Sequence, residues 1–173
     1  MNVKKILLTE SQLSDRVTEL ARRISADYAG APPVIVGILK GSFVFISDLV
    51  RKLELDASVF FMEVSSYGAS TKTSGIVQIV RDLDESIEGR DVLIVEDIID
   101  SGLTLNYIKS MLSARNPGSV RICAMLNKAE RRECDIEVDY VGFDIPNEFV
   151  VGYGLDYAER YRQLPYVGVL GDE

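Results

Sequence analysis

The sequence predicts an α/β fold, a mainly parallel sheet flanked by helices. Strand-like and helix-like segments alternate through the middle of the chain, which is the pattern of parallel strands joined by crossover helices. The strands Val34–Leu39 (VIVGIL) and Val92–Val95 (VLIV) are continuous apolar runs rather than alternating ones, as expected where both faces of a sheet are covered. No internal repeat, low-complexity tract or linker interrupts the 173 residues, so a single domain spanning 1–173 is expected.

Each element follows from local signals. Thr9, with Gln12 three residues on, forms a capping-box pattern, and Leu13, Val17, Leu20, Ala21 and Ile24 then recur on one helical face. Pro32 and Pro33 stop that helix ahead of the Val34–Leu39 strand. Phe43–Leu53 reads as a helix with Phe45, Leu49 and Leu53 inward, and Ala57–Val64 as the next strand. Ser65–Gly75 (SSYGASTKTSG) is a run of small polar residues expected to form a mobile lid. Gly75–Asp82 resumes strand character, and after Gly89-Arg90 the most apolar strand runs over Val92–Glu96. Leu103–Ala114 is a helix buried through Leu105, Ile108 and Leu112, ended by Asn116-Pro117-Gly118. Val120–Leu126 is another strand, and beyond Asp139 only short strands and turns are expected.

Composition narrows the function. A formal charge of −8 argues against general nucleic-acid binding, and no apolar run is long enough for a membrane span, so a cytoplasmic protein is expected. The two cysteines, Cys123 and Cys134, match neither a disulfide framework nor a metal-ligand spacing. Histidine is absent, which excludes Ser-His-Asp triads and histidine-ligated zinc. Any proton transfer must use carboxylates, lysine, tyrosine or water.

In open parallel sheets, ligands bind at the carboxyl ends of the strands. Glu96 and Asp97 are expected at such an end, followed by Asp100-Ser101-Gly102-Leu103-Thr104 entering a helix. Unpaired amides at the helix start, with the Ser101 and Thr104 hydroxyls, suit a dianion, and Gly102 lets the backbone approach it. The upstream carboxylates suit the vicinal hydroxyls of a ribose. Together they ask for a sugar carrying a phosphate.

The stretch VLIVEDIIDSGLTL, Val92–Leu105, resembles the ribose-phosphate-binding motif of the type I phosphoribosyltransferases, with Ser101 where a threonine is common. The resemblance extends from about Val34 to Gly168. It implies 5-phosphoribosyl-1-pyrophosphate as donor, magnesium as cofactor, and a hood formed by the N-terminal and C-terminal segments. Lys40-Gly41, after the first buried strand, resembles the family's pyrophosphate loop, which in relatives carries a non-proline cis peptide. Ser66-Tyr67 and the residues to Gly75 are similar to the flexible catalytic loop of the hypoxanthine-guanine branch.

Lys128, after the Val120–Leu126 strand, is suited to donate to a 6-oxo group, and Phe149–Tyr157 (FVVGYGLDY) closely resembles the purine-binding stretch of that branch. The resemblance implies that Phe149 stacks on the purine and Val150 reads its edge through the backbone. Glu96, Asp97 and Asp156 would serve the metal, and Arg162 would reach the pyrophosphate. The implied reaction is salvage of hypoxanthine and/or guanine to IMP and GMP, by an enzyme that forms homodimers or homotetramers. With histidine absent, Asp100 is expected to take the purine's proton, as in the family. A competing expectation is a nucleotide-sensing regulator on the same fold that binds RNA. A phospho-receiver domain also has acidic strand ends and a late lysine, but draws its acids from separate strands.

Overall fold

The computed structural model describes residues 2–66 and 77–171. The chain opens with a strand, β1 (Asn2–Leu8), and a helix, α1 (Glu10–Asp27). At the start of α1 the Thr9 hydroxyl accepts from the Gln12 amide at 3.2 Å, and the Gln12 side chain accepts from the Thr9 amide at 2.9 Å. This is the capping box read from the sequence. The helix ends at Asp27, ahead of the two prolines.

A six-stranded sheet follows, built from β2 (Val34–Leu39), β3 (Ser58–Ser66), β4 (Val77–Arg81), β5 (Asp91–Ile99), β6 (Ser119–Asn127) and β7 (Tyr140–Asp144). Their spatial order is β4-β3-β2-β5-β6-β7, and only β4 runs antiparallel to its neighbour. Helices α2 (Phe43–Val50) and α3 (Leu103–Ser113) complete the crossovers. α2 is shorter than its apolar spacing suggests. Its last turn tightens, with the Lys52 and Leu53 amides both donating to the Leu49 carbonyl, and Leu53 is only partly buried.

The sheet divides two apolar clusters. Ile35, Leu93 and Val95 pack with α1 and α2, while Val34, Val36, Val92 and Ile94 pack with Leu105, Ile108 and Leu112 of α3. Neighbouring residues of one strand therefore feed opposite clusters, which accounts for the uninterrupted apolar runs.

Two features depart from the sequence reading. β5 continues past Glu96 to Ile99, so Glu96 and Asp97 lie inside the strand and not at its end. The cause is unequal pairing. β2 pairs with β5 only from Val34↔Val92 to Gly37↔Val95, whereas β6 follows β5 as far as Ile99↔Asn127. Beyond Val95, β5 loses its β2 partner, and the acidic residues lie along that open edge. The second feature is β1, which the sequence did not signal. It pairs antiparallel with β9 (Val167–Gly171), and β9 pairs with β8 (Val150–Val151), making a three-stranded sheet from the two ends of the chain.

Candidate active site

The open edge of β5 is where separate parts of the chain meet. A Cβ added to Gly41 would fall on the Asp97 carboxylate, and one added to Gly154 would fall on the Gly41 carbonyl. Only glycine permits both approaches. The Leu39–Lys40 peptide is cis, as the resemblance implies. Ser42 is fully buried, and its hydroxyl donates to the Ile38 carbonyl at 2.6 Å, tying the loop back to β2.

Loss of solvent pushes the Glu96 carboxyl well above the usual range, and the neighbouring Asp97 charge adds to this. Desolvation raises Asp97 too, partly offset by its hydrogen bond with Glu96 and by the Arg162 charge. Two crowded acids resist carrying full negative charge side by side. A cation or sugar hydroxyls placed beside them would relieve that crowding.

The next turn makes a cradle. A cavity of about 140 Å³ is lined by Glu96, Ile98, Asp100, Ser101, Gly102 and Thr104, among others. Gly102 has φ +83°, the left-handed conformation that glycine adopts without penalty, and it caps α3. The first helical bond runs from the Asn106 amide to the Gly102 carbonyl at 2.8 Å. Amides at the start of α3 thus stand ahead of the helical ladder, an arrangement suited to a phosphate. The Leu103 amide makes a long bond of 3.4 Å to the Ser101 hydroxyl. Asp100 is half-exposed, and its Oδ1 accepts from Arg131 Nε at 2.9 Å.

A cationic corner lies across the Gly41–Gly154 contact. Arg162 donates to the Gly154 carbonyl at 2.8 Å and pairs with Asp156 at 3.0 Å and Glu159 at 3.3 Å. Glu159 also meets Lys40 Nζ at 3.4 Å. The Arg162 and Lys40 hydrogen bonds hold the Glu159 carboxyl below its ordinary range. Ala158, Glu159 and Tyr161 have φ of 51°, 61° and 78°, an uncommon run of left-handed non-glycine residues.

The remaining expected site residues are placed as follows. Lys128 is buried, with no side-chain partner among the described residues, and its amide donates to the Ile99 carbonyl at 2.9 Å. Phe149 is 55% exposed and meets Tyr157 edge-on at 5.8 Å, leaving ring surface open for stacking. Val150 is buried in β8, in register with Val169. Ser66 ends β3, whereas Tyr67 lies outside the described residues. Glu96 and Asp97 are adjacent, but no group of three carboxylates converges among the described residues, and Asp156 turns to Arg162.

Sequence reasoning missed the segment after Lys128. Ala129–Arg131 forms one turn of 3-10 helix. Arg132 donates to the Asp100 carbonyl at 3.3 Å and bonds the Asn127 side chain, while the Glu133 amide donates to the Ser101 carbonyl at 2.9 Å. The only sequence signal was the Arg131-Arg132 pair close behind a strand-end lysine in an acidic chain. Glu159 was missed as well, because nothing local marks an acid as the partner of two distant cations.

A parallel sheet with an acidic strand edge, a phosphate-sized cradle at a helix start and a terminal three-stranded cap defines a class, the α/β proteins that hold a ribose phosphate. The comparisons narrow that class. The phosphoribosyl transferase domain family matches residues 5–158. A hypoxanthine-guanine phosphoribosyltransferase of Dictyostelium discoideum is 51% identical over 174 residues, covering 98% of this chain and 97% of the relative. A crystal structure of a hypoxanthine phosphoribosyltransferase from Staphylococcus aureus superimposes with a TM-score of 0.95 at 50% identity, covering 98% of this chain and 92% of that one. A bifunctional TilS/HprT protein of Listeria innocua is 51% identical over 172 residues, and there this chain spans only 26% of the relative's length. The chain belongs to the phosphoribosyltransferase family and, within it, to the hypoxanthine-guanine phosphoribosyltransferases.

Proposed function

We propose that the protein transfers the 5-phosphoribosyl group from 5-phosphoribosyl-1-pyrophosphate to hypoxanthine and/or guanine, giving IMP or GMP and pyrophosphate. The observation that carries this reading is the cradle at Glu96–Leu105, which joins an acidic edge to the amides at the start of α3 in one cavity. In it, the amides and hydroxyls of Ser101, Gly102, Leu103 and Thr104 hold the 5-phosphate, and Glu96 and Asp97 face the ribose hydroxyls.

Lys40, Gly41 and Arg162 hold the leaving pyrophosphate, for which Lys40 and Arg162 must exchange their pairing with Glu159. Phe149 stacks on the purine, and Lys128, buried and without a side-chain partner among the described residues, donates to its 6-oxo group. Asp100 accepts the proton that the purine ring nitrogen sheds. Bond breaking leads bond making at the ribose, so catalysis is chiefly positioning and electrostatics.

All the donors at this site are hard oxygens, which suits magnesium. That ion takes one or two carboxylates and completes its shell with water and substrate phosphate, so it needs no three-carboxylate cage. Glu96, Asp97 and Asp156 are the candidates, of which one or two would hold it at a time, and when bound it would supply charge neutralisation at the pyrophosphate.

The terminal three-stranded sheet is the hood of a single domain. Self-association as a homodimer or homotetramer fits the partly exposed Phe43 beside a groove of about 820 Å³ that also includes Arg162. No described helix is long and apolar enough to cross a membrane, and a cytoplasmic location fits this reading. Parallel assays of hypoxanthine, guanine and xanthine with the donor and magnesium test it. Turnover of at least one 6-oxopurine is expected, and no turnover of any would reject it.

A further inference from the structure

We infer that Arg131 is a positioning residue for the reaction, holding the Asp100 carboxylate in the orientation from which it takes the purine's proton; this rests on the reading of Asp100 as the base. The segment after β6 is laced to the turn that carries Asp100. The Lys128 amide donates to the Ile99 carbonyl, Arg132 to the Asp100 carbonyl, and the Glu133 amide to the Ser101 carbonyl. Successive carbonyls of the turn are thus fixed from one side. Within that lacing, Arg131 is the partner of the Asp100 side chain, through Nε at 2.9 Å on Oδ1. Oδ2 has no hydrogen-bond partner among the described residues and is left to face the substrate.

Lys128 caps the one-turn helix whose last residue is Arg131, and the Arg131 amide donates to the Lys128 carbonyl at 3.0 Å. The side chain that recognises the 6-oxo group and the side chain that aims the base therefore belong to one turn. A purine seated on Lys128 is presented to a carboxylate whose direction the same turn sets. Both members of the ion pair are about half exposed, at 48% and 46%, so it adds little to folding stability. Its value lies in geometry, because a misplaced catalytic group forfeits much of its effect. The proton passes from purine N7 to Asp100 while N9 bonds the ribose carbon and that carbon's bond to the pyrophosphate oxygen breaks, the electron pair leaving with pyrophosphate.

The test is steady-state kinetics of Arg131→Gln, Arg131→Lys, Asp100→Asn and the double variant Asp100→Asn/Arg131→Gln. Arg131→Gln should lower kcat about 10-fold, part of the roughly 10²–10⁴-fold ascribed to the base, with the donor KM and the melting temperature little changed. Arg131→Lys should recover some of the loss. On the Asp100→Asn background, Arg131→Gln should have no further effect, since there is no longer a base to aim. Unchanged kcat in Arg131→Gln, or an equal loss on both backgrounds, overturns the role of Arg131 while leaving the base intact. Unchanged kcat in Asp100→Asn overturns the base reading itself, and this inference with it.

Discussion

The cradle at Asp100–Leu105 and the cationic corner of Lys40, Asp156, Glu159 and Arg162 flank the same stretch of β5, but they are assembled differently. The cradle is one continuous turn between a strand and a helix, and its binding groups are mostly backbone amides fixed by α3. The corner draws on two separate segments that touch through Gly41 and Gly154 and meet β5 at Asp97, and its cations are already paired with carboxylates. A preformed amide cradle needs no rearrangement to accept a phosphate. On the proposed function, a corner of paired charges would exchange partners when pyrophosphate enters, which would make binding there a competition.

Glycine substitutions should separate the two regions most sharply. Gly41→Ala puts a methyl group onto the Asp97 carboxylate, so loop and acidic edge must part, with an expected loss in kcat/KM of about 10²-fold or more. Gly102→Ala strains the fold as well as the cradle. It must hold φ +83° with a Cβ only 3.0 Å from Arg132 Nη1, at a cost of about 1–2 kcal/mol, or roughly 2–8 °C in melting temperature. Calorimetry and kinetics on both variants check this. A Gly41→Ala enzyme with near-normal kcat/KM would break the comparison.

The acidic edge adds a pH dependence of definite sign. Glu96 binds its proton more tightly in the folded protein than in the unfolded chain, because burial raises it first and the Asp97 charge second. Its contribution to stability is therefore full below the ordinary glutamate value of about 4.3, and is lost as pH rises through the raised folded value. Glu96→Gln should melt higher than the parent at neutral pH in metal-free buffer, with the gap closing toward pH 4. A gap that widens on acidification would contradict the cause assigned here. The smallest effect is expected at the corner. Glu159→Gln releases Lys40 and removes one of the partners of Arg162, which keeps Asp156; exposed pairs are weak, so pyrophosphate inhibition should tighten only about 2-fold and lose that gain at high salt.

The same contrast governs what the sequence made legible. The α1 capping box, the VIVGIL strand and the inward stripe of α3 are local patterns, and each is present in the structure. The cradle is local too, so its residues could be named from one stretch of chain. β1 is not: NVKKILL has little buried surface of its own and pairs with β9, at the far end of the chain. The end of β5 was misplaced because Glu96 and Asp97 interrupt an apolar run although their backbone still pairs with β6. The corner was reachable only by resemblance. Left-handed Ala158, Glu159 and Tyr161 run against local propensity, and one turn of 3-10 helix with no buried residue leaves no periodic trace.

The central claim is that one short segment both holds the donor and activates the acceptor. The direct measurement compares Asp100→Asn with the parent for single-turnover rate and for donor affinity by calorimetry. The rate should fall by roughly 10²–10⁴-fold while donor affinity stays the same. An unchanged rate, or a loss of donor binding that accounts for the whole fall, would contradict it.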